Sequence, residues 1–506
     1  MIWLVAVLAG VVLIVAAMAV YDLVQTRHAI RRNFPVIGRL RYVLERIGPE
    51  LRQYIVTDND EERPFTRDQR RWVYSSAKRE NPYFGFGTDN HLDQPQYVLV
   101  RHSPFPFEPG GNPPRSPEDV RVPVAKVMGE WRNRPGSFRP GSVVAISAMS
   151  YGSLSGPAVE ALNRGAALAG ALQNTGEGGI SPYHLNGGDL IYQLGTGYFG
   201  SRHPDGRFDL DRLVEQVERA PVRAIEIKLS QGAKPGLGGV LPGEKVTAEI
   251  AAIRGCPQGQ TVRSPARHST FDSVPTMIDF IEEVADATGL PVGIKSAVGQ
   301  RAFWSELAET MDDRGEGPDF ITIDGGEGGT GAAPLVFSDH VSLPFRPGFA
   351  EVFATFAQRG LHEKVLWVGS GKLGLPDDAL VAMALGVDML AVAREAMLAA
   401  GCIQAQKCQT GHCPTGVATQ SPWLMRGLDP TDKSVRVANY LRALRFELLR
   451  LAHACGQPHP AGIAGDEVDL MQEGDTITTV WDRYGYRPEW RKGHAVRLAD
   501  VALLTG

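Results

Sequence analysis

Residues 365–393 read VLWVGSGKLGLPDDALVAMALGVDMLAVA, and this stretch decides the fold. An apolar run, Val365–Gly369, leads into Gly-Ser-Gly-Lys; a helical pattern, Asp377–Leu385, follows; a second apolar run, Asp388–Ala393, closes the unit. Two apolar runs joined by a helix mark buried parallel strands with a crossover between them. Glycines just past the first run mark a place where backbone turns tightly or lies against a ligand.

The same unit recurs upstream. Strand-like runs fall at Val143–Ser147, Ala171–Asn174, Ala224–Leu229, Gln260–Arg263, Val292–Ser296 and Phe320–Asp324. Helical patterns separate most of them, at Pro157–Ala169, Leu210–Arg219, Val246–Arg254, Pro275–Thr288, Phe303–Asp313 and Phe349–Arg359. Eight such units match an α/β fold of the (β/α)8 TIM-barrel type, for which about 250 residues is typical. A doubly wound sheet would gather its glycines at one switch point, whereas here they follow many runs. The reading divides the chain into a transmembrane anchor (1–24), a linker and lid segment (25–135), the barrel with a cysteine loop (136–420) and a C-terminal helical tail (421–506). Within the lid, Pro104–Pro117 is too rich in proline and glycine for a regular element; within the tail, Ser434–Cys455 is helix-like.

Bulk composition is that of a large globular protein: 506 residues, 43% hydrophobic and 22% charged, with a net charge of −5 that offers nothing to nucleic acid. The N-terminus differs. Ile2 to Val20 carries no charged side chain, and at about 1.5 Å per residue it spans roughly the 30 Å hydrocarbon core of a bilayer. Trp3 and Tyr21 bracket the run, and Arg27, Arg31, Arg32, Arg39 and Arg41 follow it. The absence of Lys or Arg ahead of the run argues against a signal peptide. The arginines behind it predict a single pass through the cell membrane with the catalytic domain in the cytoplasm.

In a barrel, chemistry sits at the C-terminal ends of the strands. Gly369, Ser370, Gly371 and Lys372, with Arg394 after the last strand, suit a phosphate. Gly325 and Gly326, in the cluster after Phe320–Asp324, join this cofactor-binding set. Lys228, Gln231 and Lys234 share one loop and suit a flavin pyrimidine edge or a dicarboxylate. Glu177, flanked by glycines, suits proton transfer.

Three of the five cysteines, Cys402, Cys408 and Cys413, then fall within twelve residues in CIQAQKCQTGHCPTGVATQ, directly after the last strand. Such a trio with a Cys-Pro ending suits an iron–sulfur cluster better than zinc. Zinc with His412 as a fourth ligand, and three separate buried thiols, are the other readings of this run. Cys256 and Cys455 stand alone.

Several long motifs in order carry a family resemblance: SAMSYGSLS (Ser147–Ser155), NTGEGG (Asn174–Gly179), IKLSQGAKPGLGGVLPG (Ile227–Gly243), DGGEGGTGAAP (Asp324–Pro334) and CPTGVATQ. From about Ser147 to Gln420 the chain resembles the FMN-binding synthase domain of glutamate synthase, in its shorter, single-domain, membrane-anchored form. The resemblance implies FMN and a 3Fe-4S cluster on Cys402, Cys408 and Cys413. It implies reduction of 2-iminoglutarate, formed from 2-oxoglutarate and ammonia, to L-glutamate. Met149 and Ser150 would line the flavin, Lys228 and Gln231 would contact flavin or substrate, Lys234 a substrate carboxylate, and Lys295 the flavin pyrimidine. With neither a glutaminase domain nor a dinucleotide fold expected, ammonia or an amidotransferase partner would supply nitrogen. A ferredoxin or an NAD(P)H-dependent reductase would supply electrons. Two other functions fit the same residues: an FMN/iron–sulfur oxidoreductase acting on an N-alkylglutamate, and a non-catalytic membrane electron relay.

Overall fold

A computed structural model describes residues 2–25, 27–80, 86–109 and 116–490. Part of the irregular Pro104–Pro117 segment (110–115) and the last residues of the expected tail (491–506) lie outside the described residues. The chain divides into two compact units, residues 1–71 and 72–506.

The first unit opens with a helix, Ile2–Val24, long and apolar enough to cross a membrane. Its one buried side chain is Asp22, which accepts from Arg39 Nε (2.9 Å), Arg39 Nη2 (2.8 Å) and the Val36 N–H (3.1 Å). A short helix, Ala29–Asn33, and a longer one, Gly38–Leu51, follow.

The second unit is built on a closed parallel barrel. Its strands are β1 (Val144–Ile146), β2 (Gln173–Asn174), β3 (Leu190–Leu194), β4 (Val222–Lys228), β5 (Val292–Ser296), β6 (Phe320–Asp324), β7 (Leu366–Ser370) and β8 (Met389–Val392). They pair in chain order, and β8 returns to β1. Seven of the eight expected runs are barrel strands. The exception is Gln260–Arg263: Val262–Arg263 pairs antiparallel with Val240–Leu241 in an excursion between β4 and β5. Its residues are exposed or half-buried, whereas a parallel barrel strand is covered on both faces. The third barrel strand, β3, falls outside the expected runs because Gln193 interrupts its apolar stretch.

Side chains two apart on a strand share a face, and register then sets their height. Lys228 pairs with Lys295 across β4 and β5, Lys295 with Thr322 across β5 and β6, and Asp324 with Ser370 across β6 and β7. The C-terminal rim therefore starts as a tier of charged and hydroxyl residues. Outside the barrel, the helix Pro430–Ala454 packs on the helix Gly156–Ala169; a Cβ added at Gly165 would lie 2.6 Å from Val437 Cγ1. Val98–Val100 pairs antiparallel with Val468–Met471.

Candidate active site

The loops after β2 and β4 build the first part of the rim. Lys228, the last residue of β4, donates to Gln231 Oε1 at 2.7 Å and lies 3.2 Å from Glu177 Oε1. Lys234 is buried, with its Nζ donating to the Gly238 carbonyl at 2.9 Å. Burial acts first on Glu177 and raises its pKa. The charges of Lys228, Arg254 and Lys234, with the Lys228 hydrogen bond, outweigh that and hold the carboxyl below its ordinary range. Lys234 is lowered, by burial first and then by Lys228, with Glu177 opposing. So the expected trio Lys228, Gln231 and Lys234 does assemble around Glu177, as a cation cluster sharing an ionised carboxylate.

Two further members of this cluster lie outside the expected site set. Arg254, at the end of the helix Ala248–Arg254, donates to the Tyr151 carbonyl (2.9 Å) and Ser150 Oγ (3.3 Å), tying the β1 loop to the cluster. His268 Nε2 lies 2.9 Å from the Lys228 carbonyl and Nδ1 3.1 Å from Tyr198 Oη. A carbonyl only accepts, so Nε2 carries the hydrogen. Burial lowers this imidazole to about 4, so it is neutral at ordinary pH.

Below the rim, Glu226 lies buried inside the barrel. It accepts from Thr322 Oγ1 (2.7 Å), Asn174 Nδ2 (2.8 Å) and Gln193 Nε2 (2.6 Å), gathering β2, β3, β4 and β6. A charge in the middle of the apolar strand Ala-Ile-Glu-Ile-Lys was its sequence signal. Lys295 stands beside this hub, 3.5 Å from Asp324 Oδ2. Burial alone would lower Lys295; Asp324 and Glu226 reverse that, and the ammonium is held above its ordinary value.

Four of the residues expected to bind the cofactor are engaged in main-chain pairing. Gly369 and Ser370 lie within β7, paired on both sides. The Gly325 N–H donates to the Ser370 carbonyl (2.8 Å) and the Gly326 N–H to the Leu343 carbonyl (2.9 Å). What continues past the strand is Gly371, at φ +123°, and Lys372, at φ +59°. Arg394 closes the corner, donating to the Glu327 carbonyl. Burial lowers Lys372, and Arg394 lowers it further against the pull of Asp378, Glu395 and Asp377. Burial likewise lowers Arg394. Two neighbouring cations, each depressed by burial, are chemically matched to a phosphate dianion. Met149 and Ser150 are half-buried on the β1 loop, where the Gly176 backbone approaches so closely that a Cβ there would lie 2.5 Å from the Ser150 nitrogen.

The cysteine loop lies against this rim. A Cβ added at Gly331 would sit 3.1 Å from Cys408 Cβ. Lys245, buried and unforeseen, donates to the carbonyls of Cys408 (2.8 Å), Ala418 (3.0 Å) and Ser153 (3.5 Å), so one ammonium fastens the loop to the barrel. Burial raises the Cys408 thiol, with the Cys413 charge adding and Lys245 opposing. Burial also pushes Cys413 up, but the Ala418 N–H, the Thr415 hydroxyl and the Thr415 and Val417 N–H groups outweigh it, favouring the thiolate. No disulfide joins any of the five cysteines, all of which are among the described residues. Among the described residues no three His, Cys, Asp or Glu side chains are placed to hold a metal ion. The donor chemistry suits a cluster; the gathering of Cys402, Cys408 and Cys413 around one point is not formed.

A family model described as the conserved region in glutamate synthase matches residues 136–458, which take in the whole barrel, the cysteine loop and the helix Pro430–Ala454. The chain belongs to the glutamate synthase family. A glutamate synthase large subunit-like protein, YerD, of Bacillus subtilis is 38% identical over 509 residues, covering 94% of this chain and 96% of the relative. An archaeal glutamate synthase (NADPH) of Methanocaldococcus jannaschii is 37% identical over 319 residues, covering 62% of this chain and 59% of the relative. The chain thus spans less than two thirds of the archaeal enzyme's length. Among solved structures, the flavin-binding domain of baker's yeast flavocytochrome b2 aligns at 15% identity and a TM-score of 0.44, covering 83% of this chain and 84% of that one; a likeness this slight bears on nothing further. Family membership makes this chain a glutamate synthase-like oxidoreductase.

Proposed function

We propose that the barrel binds FMN and reduces 2-iminoglutarate, formed from 2-oxoglutarate and ammonia, to L-glutamate. The observation that carries this reading is the cation-rich rim: Lys228, Lys234 and Arg254 around Glu177 on one side, Lys372 and Arg394 on the other, with Lys295 buried between strands. Two anions of different kind, a phosphate and a dicarboxylate, match those two ends.

On this reading Gly371, Lys372 and Arg394 hold the flavin phosphate, Met149 and Ser150 flank the ring, and Lys295 places a positive charge at its pyrimidine edge. FMN, when bound, supplies hydride chemistry. The protein positions the imine: Lys228 and Lys234 take the substrate carboxylates, and Gln231 fixes the Lys228 ammonium. Reduction adds a hydride at the imine carbon and a proton at nitrogen. Glu177, held ionised, is suited to balancing the lysines rather than to donating that proton. The neutral His268 behind Lys228 keeps the Lys228 backbone in place without adding charge.

The finer parts extend the proposal. Cys402, Cys408 and Cys413 would ligate a 3Fe-4S cluster, supported by the thiolate bias at Cys413 and by Lys245 beside the loop. The helix Ile2–Val24 would anchor the chain in the cell membrane with the barrel in the cytoplasm. An external reductant, a ferredoxin or an NAD(P)H-dependent reductase, would supply electrons, and ammonia or an amidotransferase partner the nitrogen. The test is anaerobic: chain reduced with dithionite, then mixed with 2-oxoglutarate and ammonium. Flavin reoxidation with stoichiometric glutamate is expected. A flavin that stays reduced in that mixture overturns the substrate, and iron and sulfide counts on the same preparation decide the cluster.

A further inference from the structure

The first unit contains a surface that the barrel chemistry does not use. In the helix Gly38–Leu51, Leu40, Leu44, Ile47 and Leu51 recur at spacings of three and four, with Ile37 just ahead. That spacing makes one stripe along a helix. All of it faces outward: Ile37 is 72% exposed, Leu40 61%, Leu44 58%, Ile47 43% and Leu51 40%. The inward side is already occupied. Gly38 lies against the short helix Ala29–Asn33, where a Cβ would come within 2.8 Å of the Ile30 carbonyl oxygen. Tyr42 packs its ring against His28 (5.1 Å between centroids) and under the Arg31 guanidinium (4.4 Å). The helix is therefore turned with its apolar stripe away from its own neighbours.

Charge and position say what covers the stripe. Between Arg27 and Arg52 there are seven arginines against two glutamates, a net +5 in a chain whose total is −5. The stripe is also pinned to the membrane-length helix, because Asp22 near the end of Ile2–Val24 holds Arg39 and the Val36 N–H. We infer that the helix Gly38–Leu51 lies on an anionic lipid leaflet, its stripe sunk between acyl chains and its arginines among the headgroups. Fourteen residues give it a length of about 21 Å along the surface. The inference rests on the reading of Ile2–Val24 as a span and is independent of what the barrel reduces. An amphipathic helix with this charge binds through buried apolar area together with attraction to anionic lipid. Each arginine near such a surface changes binding by about fivefold.

The test uses the full chain in nanodiscs of phosphatidylcholine, with and without phosphatidylglycerol, read by hydrogen exchange of amides 38–51. Slower exchange in the anionic discs is expected. Arg32→Gln with Arg52→Gln should weaken the dependence on phosphatidylglycerol by about 25-fold while leaving the helix intact. Leu40→Glu, Leu44→Glu and Ile47→Glu together should abolish protection in both lipids, with exchange in the barrel strands as the folding control. Protection that is equal in both lipids and untouched by the arginine pair overturns the inference. So does protection that follows protein concentration, which would mean a second copy covers the stripe. Should the chain fail to enter nanodiscs at all, the span is wrong. Flotation of the same chain with phosphatidylglycerol vesicles then decides the stripe separately: flotation lost in the triple variant supports it, and no flotation ends it.

Discussion

The two ends of the barrel treat buried charge in opposite ways. At the N-terminal end, Lys126 lies 3.0 Å from Asp388 with both side chains almost fully buried, and it also donates to the carbonyls of His362 and Val365 at 2.8 Å. Asp388 accepts the Trp367 N–H in turn. Nearby, Arg134 meets Asp319 at 3.1 Å and Glu282 at 2.8 Å, and Asp319 accepts the Val292 N–H. Each cation there meets a carboxylate just ahead of a strand, Asp388 before β8 and Asp319 before β6. At the C-terminal end one carboxylate, Glu177, serves Lys228, Lys234 and Arg254, while burial lowers Lys372 and Arg394 adds to that. Closed pairs hold strands together; three cations sharing one carboxylate suit an anion that arrives from outside. This is the division of labour expected between the two faces of such barrels.

The largest effect should come from breaking a closed pair. Lys126→Met leaves Asp388 charged and buried, and loss of a buried partner costs about 3–5 kcal/mol; urea unfolding measures it, with flavin content per folded chain unchanged. Next comes the rim. Lys372→Ala should weaken FMN binding by about 1.5–3 kcal/mol, the range for hydrogen bonds to charged groups, with apoprotein stability hardly altered. A Lys372→Ala chain that unfolds early yet binds FMN normally would erase the contrast between the ends. The smallest effect is in pH dependence. The folded pKa of Glu177 lies below its reference value of 4.5, so its ion pairs contribute fully above that value and are lost as pH falls through the lower folded one. Glu177→Gln should remove that acid loss. It should also move the alkaline limb of the activity profile to lower pH, because Lys234 loses the charge that supports its ammonium. Asp319 runs the other way: burial raises it to about 6, so its contribution is greatest below 3.8 and fades as pH rises through 6.

What the sequence revealed follows the same physical line. Strands buried on both faces leave continuous apolar runs, which is why β1, β2, β4 and β5 through β8 were legible. The run of β3 is broken by Gln193, whose amide turns inward to Glu226, and the β-branched pair Thr261-Val262 mimicked a strand within a loop excursion. Residues at strand ends, Lys228, Lys295, Lys372 and Arg394, could be read because register fixes their height. Arg254, His268 and Lys245 could not: each reaches its partners from an excursion whose path no local pattern encodes. Composition alone does not tell a glycine in a ladder, such as Gly369, from one whose backbone is open.

One contact on the rim constrains how this enzyme can change. A Cβ on Gly232 would lie 1.8 Å from the Gly325 carbonyl oxygen, so the turn after β4 and the turn after β6 are stacked main chain on main chain. Gly232 also donates to Asp324 at 3.0 Å. Neither turn can swing or lengthen without carrying the other. Drift in substrate preference is thereby channelled into exchanging the side chains that decorate the aperture, since its outline is interlocked.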